Sequence, residues 1–162
     1  MRSASFSIRS AVIGDYEQLC TVWEVGDAIH RQALPHIFRA SGEPSKDPAE
    51  VAKLIAGPDS AIFVATLGSE VIGLVTVLDK VVPAGPIKME RRYVEVDNMA
   101  VKPSAQRKGI GRALIQAAAY WASQRGIIAL ELNVFEFNET AAAFYRAAGF
   151  SILYRRMRRQ IS

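Results

Sequence analysis

The sequence predicts an α/β protein with a mixed central sheet and helices on both faces. Three observations lead there. Short runs of alternating apolar and polar residues recur along the chain and read as strands. Amphipathic helical runs separate some of these strands, and a tight turn joins others. Tight turns make antiparallel neighbours and helical crossovers make parallel ones, so a chain with both builds a mixed sheet. With 162 residues, the chain is expected to form one domain, residues 1–162.

The elements follow in order. Phe6 and Ile8 alternate with Ser7 and Arg9 in a short first strand. Asp15 to Val25 reads as a helix with Leu19, Val22 and Trp23 on one face, and a second helical piece spans Asp27 to Leu34 before Pro35. Asp47-Pro48-Ala49-Glu50 is a helix start: Asp47 caps, Pro48 suits the first turn, and Glu50 is placed to reach back. Val51, Leu54 and Ile55 supply its buried stripe, and Gly57-Pro58 end it. Ala61–Leu67 and Val71–Leu78 form a hairpin about Gly68-Ser69-Glu70. Tyr93–Val101 is a strand with Tyr93, Glu95 and Asp97 on one face and Val94, Val96 and Asn98 on the other.

Gly111–Arg125 is a helix with Leu114, Ala118 and Trp121 toward the core, closed by a left-handed Gly126. Ile128, Leu130, Leu132 and Val134 alternate in a further strand. Asn138 caps a helix running to Ala148, and Phe150 to Met157 forms a last strand. The predicted order is β-α-α-β-β-β-α-β-α-β.

Composition excludes several classes. Apolar residues make up 50% and charged residues 22%, a balance that folds rather than one that stays disordered. No apolar run reaches membrane-spanning length, and Met1 to Ser10 lacks the apolar core of a secretory signal. The single cysteine, Cys20, excludes an internal disulfide and Cys-based zinc sites, and it reads as core or boundary packing. Two histidines and scattered acids lack metal-ligand spacing, so no metal is expected. A cytoplasmic location follows as the expectation. The net charge of +4 mildly favours anionic ligands. Arg155, Arg156, Arg158 and Arg159 read first as a solvated edge, with nucleic-acid contact the weaker alternative.

The chemistry concentrates in Val101-Lys-Pro-Ser-Ala-Gln-Arg-Lys-Gly-Ile-Gly-Arg-Ala-Leu114, where a strand ends, a basic glycine-bearing turn follows and a helix begins. Unpaired amides at a helix start carry partial positive charge and receive phosphate oxygens. Gly109 and Gly111 let the backbone come close, and Arg107, Lys108 and Arg112 add charge. Neither the triphosphate-loop nor the dinucleotide-fold pattern is present.

Gln106-Arg-Lys-Gly109-Ile-Gly111, after Asn98-Met-Ala-Val101, resembles the Q/R-x-x-G-x-G/A signature of the GCN5-related N-acetyltransferases (GNAT). Asn138-Glu-Thr-Ala141-Ala-Ala-Phe144-Tyr145-Arg-Ala-Ala-Gly149-Phe150 is similar to that family's N-x-x-A-x-x-F-Y-x-x-x-G-F segment. The element order agrees from Phe6 to Met157. The resemblance implies a twisted sheet whose fourth and fifth strands splay, with acetyl-CoA in the gap as co-substrate. Met99, Ala100 and Val101 would line the pantetheine arm, with Met99 and Val101 offering main-chain groups as a peptide does at a sheet edge. Gln106, Arg107, Lys108, Gly109, Ile110, Gly111 and Arg112 would hold the diphosphate. Asn138 and Tyr145 would lie beside the far pantetheine and the thiol. Asn138 also serves as a plain helix cap, and the two readings stand together.

The implied activity is transfer of the acetyl group to a primary amine by direct attack in a ternary complex. Tyr145 matches the position that protonates the departing thiolate, or else only packs and hydrogen-bonds the cofactor. Glu95 is the choice for base, with Asp97 and the more remote Glu90 as alternatives, or these acids bind a cationic substrate or face solvent. The wall of the acceptor site between the first helices holds His30, His36 and Phe38; a small-molecule amine is favoured over a peptide amine. A non-catalytic CoA-binding module and a nucleic-acid-binding module are the alternatives in other classes. A homodimer is expected, and no membrane partner.

Overall fold

A computed structural model describes residues 5–40 and 42–161. Four strands run antiparallel in chain order: β1 (Ser7–Ser10), β2 (Ser60–Leu67), β3 (Glu70–Val82) and β4 (Arg91–Val101). The last strand, β5 (Leu130–Leu132), pairs in parallel with β4 and completes a five-stranded mixed sheet. Helices α1 (Tyr16–Ala33) and α2 (Pro48–Ala56) cover one face, and α3 (Ile110–Ser123) and α4 (Glu139–Ala147) the other.

Each face has its own core. Under α1 and α2, Leu19, Val22, Trp23 and Val51 bury against Ile62, Val64, Val71 and Leu74. Under α3, Ile110, Leu114, Ala118 and Trp121 bury against Val75, Val77, Val94 and Val96. Alternate residues of β3 serve opposite cores, because successive strand side chains point to opposite faces. The tight β2–β3 turn holds Gly68 at a φ of 60°, a left-handed conformation that glycine adopts without strain.

Several expectations are corrected. The first two helical pieces are one helix: Gly26 lies within α1, where tertiary packing of the apolar stripe overrides its weak propensity. Asp47 caps α2 by accepting from the Glu50 amide at 2.8 Å, but Glu50 turns to Lys46 at 3.5 Å rather than reaching back. The strand expected over Ile128–Val134 shrinks to three residues, and Ile128 is fully exposed. The strand expected over Phe150 to Met157 is not formed: residues 150–161 have no strand partner and are exposed beyond Phe150. Alternation gives an extended chain but only a neighbour gives a ladder, and four arginines disfavour burial there.

Candidate active site

Strand β4 has two kinds of edge. Val94, Glu95 and Val96 face β5, paired with Leu130, Glu131 and Leu132. Beyond Val96 the two strands part, while β4 continues along β3 to Val101. A bulge sits at the parting point: Val96 pairs with Val77 and Asn98 with Thr76, leaving Asp97 as the extra residue.

The bulge decides which main-chain groups face the gap. The Val94 amide donates to the Ala129 carbonyl at 2.9 Å, so Val94, and by alternation Val96, address β5. The Lys102 amide donates to the Ile72 carbonyl at 2.9 Å, so Lys102, Ala100 and Asn98 address β3. One extra residue between these two sets switches the parity, and Met99 and Val101 turn their N–H and C=O groups to the open side. The same switch corrects the faces expected for β4. Asn98 lies opposite Thr76 on the α1 side with Glu95, and Met99 joins Val96 on the α3 side.

The open edge runs into the basic turn. Pro103–Ala105 make one 3-10 turn, and the Gln106 side chain donates back to the Val101 carbonyl at 3.0 Å. Arg107 has a φ of 65° and Gly109 a φ of 81°, so two left-handed residues flank Lys108 before α3 begins at Ile110. The first intrahelical bond near this end is from the Ala113 amide to the Gly109 carbonyl, leaving the amides of Ile110, Gly111 and Arg112 without helical acceptors. Lys108 donates to the Ser104 carbonyl at 2.9 Å, while Arg107 and Arg112 are exposed with no ion pair among the described residues. Gly111 has a steric reason that the sequence reading did not see. A Cβ there would lie 3.0 Å from the Phe144 ring, so its missing side chain lets α4 pack on α3.

Asn138 caps α4, accepting from the Ala141 amide at 3.1 Å. Met99, Leu132, Phe144 and Tyr145 then pack on the same α3-side core. The Tyr145 ring meets Phe144 and Phe150 edge-on, at centroid distances of 5.3 and 5.6 Å. Its hydroxyl has no hydrogen-bond partner among the described residues, and burial pushes the phenol up to about 12.

Across the sheet, on the α1 side, lie the candidate acids. Glu95 accepts from Asn133 at 3.4 Å and has the Lys80 ammonium 3.7 Å away. Asp97 is bonded by Asn98 and lies 4.0 Å from Lys46, whose ammonium sits 5.8 Å from the centre of the Trp23 ring. The structure therefore sets Tyr145 and Glu95 on opposite faces of β4, with the parting of β4 and β5 between them. His30 and Phe38 come together at a centroid distance of 5.3 Å. Two rings the sequence reading missed complete the group: Phe135 lies 5.4 Å and Phe137 6.0 Å from His30. Their signal was two aromatic residues in a polar loop, outside any periodic run. His36 is exposed and makes no ring contact among the described residues. No cluster of three metal-ligating side chains occurs among the described residues, and none of their helices is long and apolar enough to cross a membrane.

An open strand edge leading to an anion-receptive helix start defines a class: a protein that holds an extended ligand as an extra strand and its charged end on helix amides. Known proteins give the class its family. Residues 29–150 match the model of the "Acetyltransferase (GNAT) family", and the chain belongs to it. That family uses acetyl-CoA. The BH1408 protein from Bacillus halodurans, solved as a tetramutant, has a TM-score of 0.90 at 24% identity, over 96% of this chain and 99% of that one. An aminoglycoside N-acetyltransferase, AAC(6')-Iy in complex with CoA, has a TM-score of 0.75 at 18% identity, over 99% of this chain and 97% of that one. These likenesses concern the fold. The Escherichia coli (strain K12) [ribosomal protein bS18]-alanine N-acetyltransferase is 41% identical over 54 residues. That stretch is 33% of this chain and 36% of the relative's length.

Proposed function

We propose that the chain transfers the acetyl group of acetyl-CoA to a primary amine of a small molecule, both bound at once. The observation that carries this reading is the edge of β4 beyond Val96, which has no neighbouring strand, with Met99 and Val101 turned outward and continuous with the turn from Gln106 to Arg112. The pantetheine amides bond the Met99 carbonyl and the Val101 amide, and the diphosphate lies on the amides of Ile110, Gly111 and Arg112, with Arg107 and Arg112 free to pair with it. Asn138 keeps its capping bond and offers its amide side chain to the far pantetheine.

In the reaction, the amine nitrogen attacks the thioester carbonyl carbon and a C–N bond forms. The oxyanion is received by the outward amide of Met99. The C–S bond then breaks, and the sulfur departs as a thiolate beside Tyr145. A phenol near about 12 does not surrender its proton outright to a thiolate of ordinary pKa ~8.5, since that transfer is uphill by roughly 5 kcal/mol. Tyr145 thus acts as a hydrogen-bond donor that stabilises the thiolate, whose final proton comes from solvent or from the amine. Glu95 takes the amine proton, directly or through water, from the opposite face. Much of the acceleration comes from holding amine and thioester together. A peptide amine is the second reading, favoured by the E. coli relative that acts on a ribosomal protein alanine.

The test is a calorimetric titration with acetyl-CoA, with dephospho-CoA as comparison, followed by thiol release on adding amines. Saturable acetyl-CoA binding and amine-dependent thiol release are expected. Folded protein that binds no acetyl-CoA overturns the reading.

A further inference from the structure

We propose that the acceptor is a primary monoamine carried on an aromatic ring, and that His30, Phe38, Phe135 and Phe137 receive that ring. The inference rests on the acetyl-transfer reading for the reaction and on independent observations for the substrate class. The four rings come from three separate segments: the end of α1, the stretch after it, and the loop between β5 and α4. Phe135 meets Phe38 edge-on at 5.6 Å and stacks with Phe137 at 5.8 Å. This is not core packing, because Phe135 keeps 41% and Phe137 36% of its surface in water. Ile37 and Val134, next to Phe38 and Phe135 in the chain, are also exposed. A contiguous exposed apolar patch of this kind marks a binding surface, and rings offering both edges and faces suit an aromatic guest.

The loop bearing Phe135 and Phe137 is tied to the reaction point. Asn133, at its start, bonds Glu95 where β4 and β5 part, and Asn138, at its end, caps α4 ahead of Tyr145. A ring seated on the patch therefore lies beside the gap on the α1 side, and a short alkyl arm reaches toward the thioester.

Charge selects against the alternative guest. A polycation needs several uncompensated carboxylates, and those nearest the gap have cations beside them: Glu95 has Lys80 at 3.7 Å, Asp97 has Lys46 at 4.0 Å and shares it with Glu50, and Glu24 has Arg31, while Glu136 between the two phenylalanines is left with no ion pair among the described residues. Lys46 and Lys80 would repel the second and third ammonium groups of a polyamine or an aminoglycoside. A single ammonium displaces one partner of Glu95 and leaves the rest in place.

The experiment compares acetyl transfer to 2-phenylethylamine, butylamine, spermidine and neamine. Calorimetry of 2-phenylethylamine and of spermidine on the protein saturated with CoA runs in parallel. The expected kcat/KM for 2-phenylethylamine is about tenfold above that of butylamine and about a hundredfold above those of the two polycations. In Phe135→Ala and Phe137→Ala, both exposed positions that fold tolerates, the ratio of 2-phenylethylamine to butylamine falls about tenfold, through KM. Preference for spermidine or neamine overturns the inference, as does an equal loss for both monoamines in the variants. The binding arm separates the two readings. Binding of 2-phenylethylamine that Phe135→Ala weakens, without transfer, upholds the ring site and removes the reaction; transfer with tighter spermidine binding does the reverse.

Discussion

Strands β3 and β5 lie two places apart in one sheet, and their surroundings differ in almost every respect. β3 has 13 residues, and Val71 to Val77 are all buried between the two cores. β5 has three residues, none fully buried, and the helix that follows it has none either. Burial of apolar surface is the main source of stability, so the structure is held together around β3. Beside β5, β4 loses its neighbouring strand after Val96, and the rings of Phe135 and Phe137 keep part of their surface in water. A strand edge without a neighbour invites association, and the proposed cofactor would use this one together with the basic turn. Stability thus centres on the middle strand of the sheet, and the proposed binding on the edge two strands away.

The sharpest way to test this division is a pair of truncations. Leu74→Ala, at a fully buried side chain of β3, is expected to cost about 3 kcal/mol in urea unfolding. Ile152→Ala, in the exposed C-terminal segment, should stay within about 0.5 kcal/mol. Comparable losses at the two sites would erase the contrast, and would mean that the C-terminal segment is packed in solution. Next in size, Tyr145→Phe should lower kcat by about 10² while leaving acetyl-CoA affinity and the unfolding midpoint nearly unchanged. An unaltered kcat would remove the hydroxyl from the reaction. Asn138→Ala is expected to cost about 1 kcal/mol of stability through the lost cap. If the cap is its only role, acetyl-CoA affinity will not move.

The smallest effect concerns acid. The Arg9 guanidinium, at 2.7 and 2.8 Å, holds the Asp15 carboxyl below its usual range against the opposing effect of burial. Arg92, at 2.9 Å, does the same for Asp79. Carboxylates depressed in the folded state add stability that is complete above their unfolded value, near ~3.9, and is lost as pH falls through the lower folded value. Urea midpoints should therefore drop below about pH 4, and Asp15→Asn should flatten that drop. A variant with the same acid slope as the parent would show that the pair contributes nothing.

How much of this was legible beforehand depended on whether the cause was local. The caps at Asp47 and Asn138, the left-handed Gly126 and the stripe Leu114, Ala118 and Trp121 all follow from short-range rules, and the structure contains each of them. The two motifs coincide with the turn that leads into α3 and with helix α4, which carries Tyr145. What escaped was set across space. Strict alternation put Asn98 on the wrong face, because a bulge is visible only when β3 fixes the register. Gly111 looked like a phosphate residue, and its steric partner, Phe144, lies more than thirty positions away. Phe135 and Phe137 belong to no periodic pattern, so only the fold brings them to His30. The alternation in Phe150 to Met157 described an extended chain without supplying its neighbour.

The placement of Tyr145 and Glu95 on opposite faces of β4 has a consequence for traffic. In the proposed reaction the thioester enters on the α3 side and the amine on the α1 side, so neither molecule stands in the other's doorway. On that proposal the two substrates arrive in either order, and the two products leave in either order. An inhibitor that imitates both at once would have to thread the sheet where β4 and β5 part, a passage one strand thick.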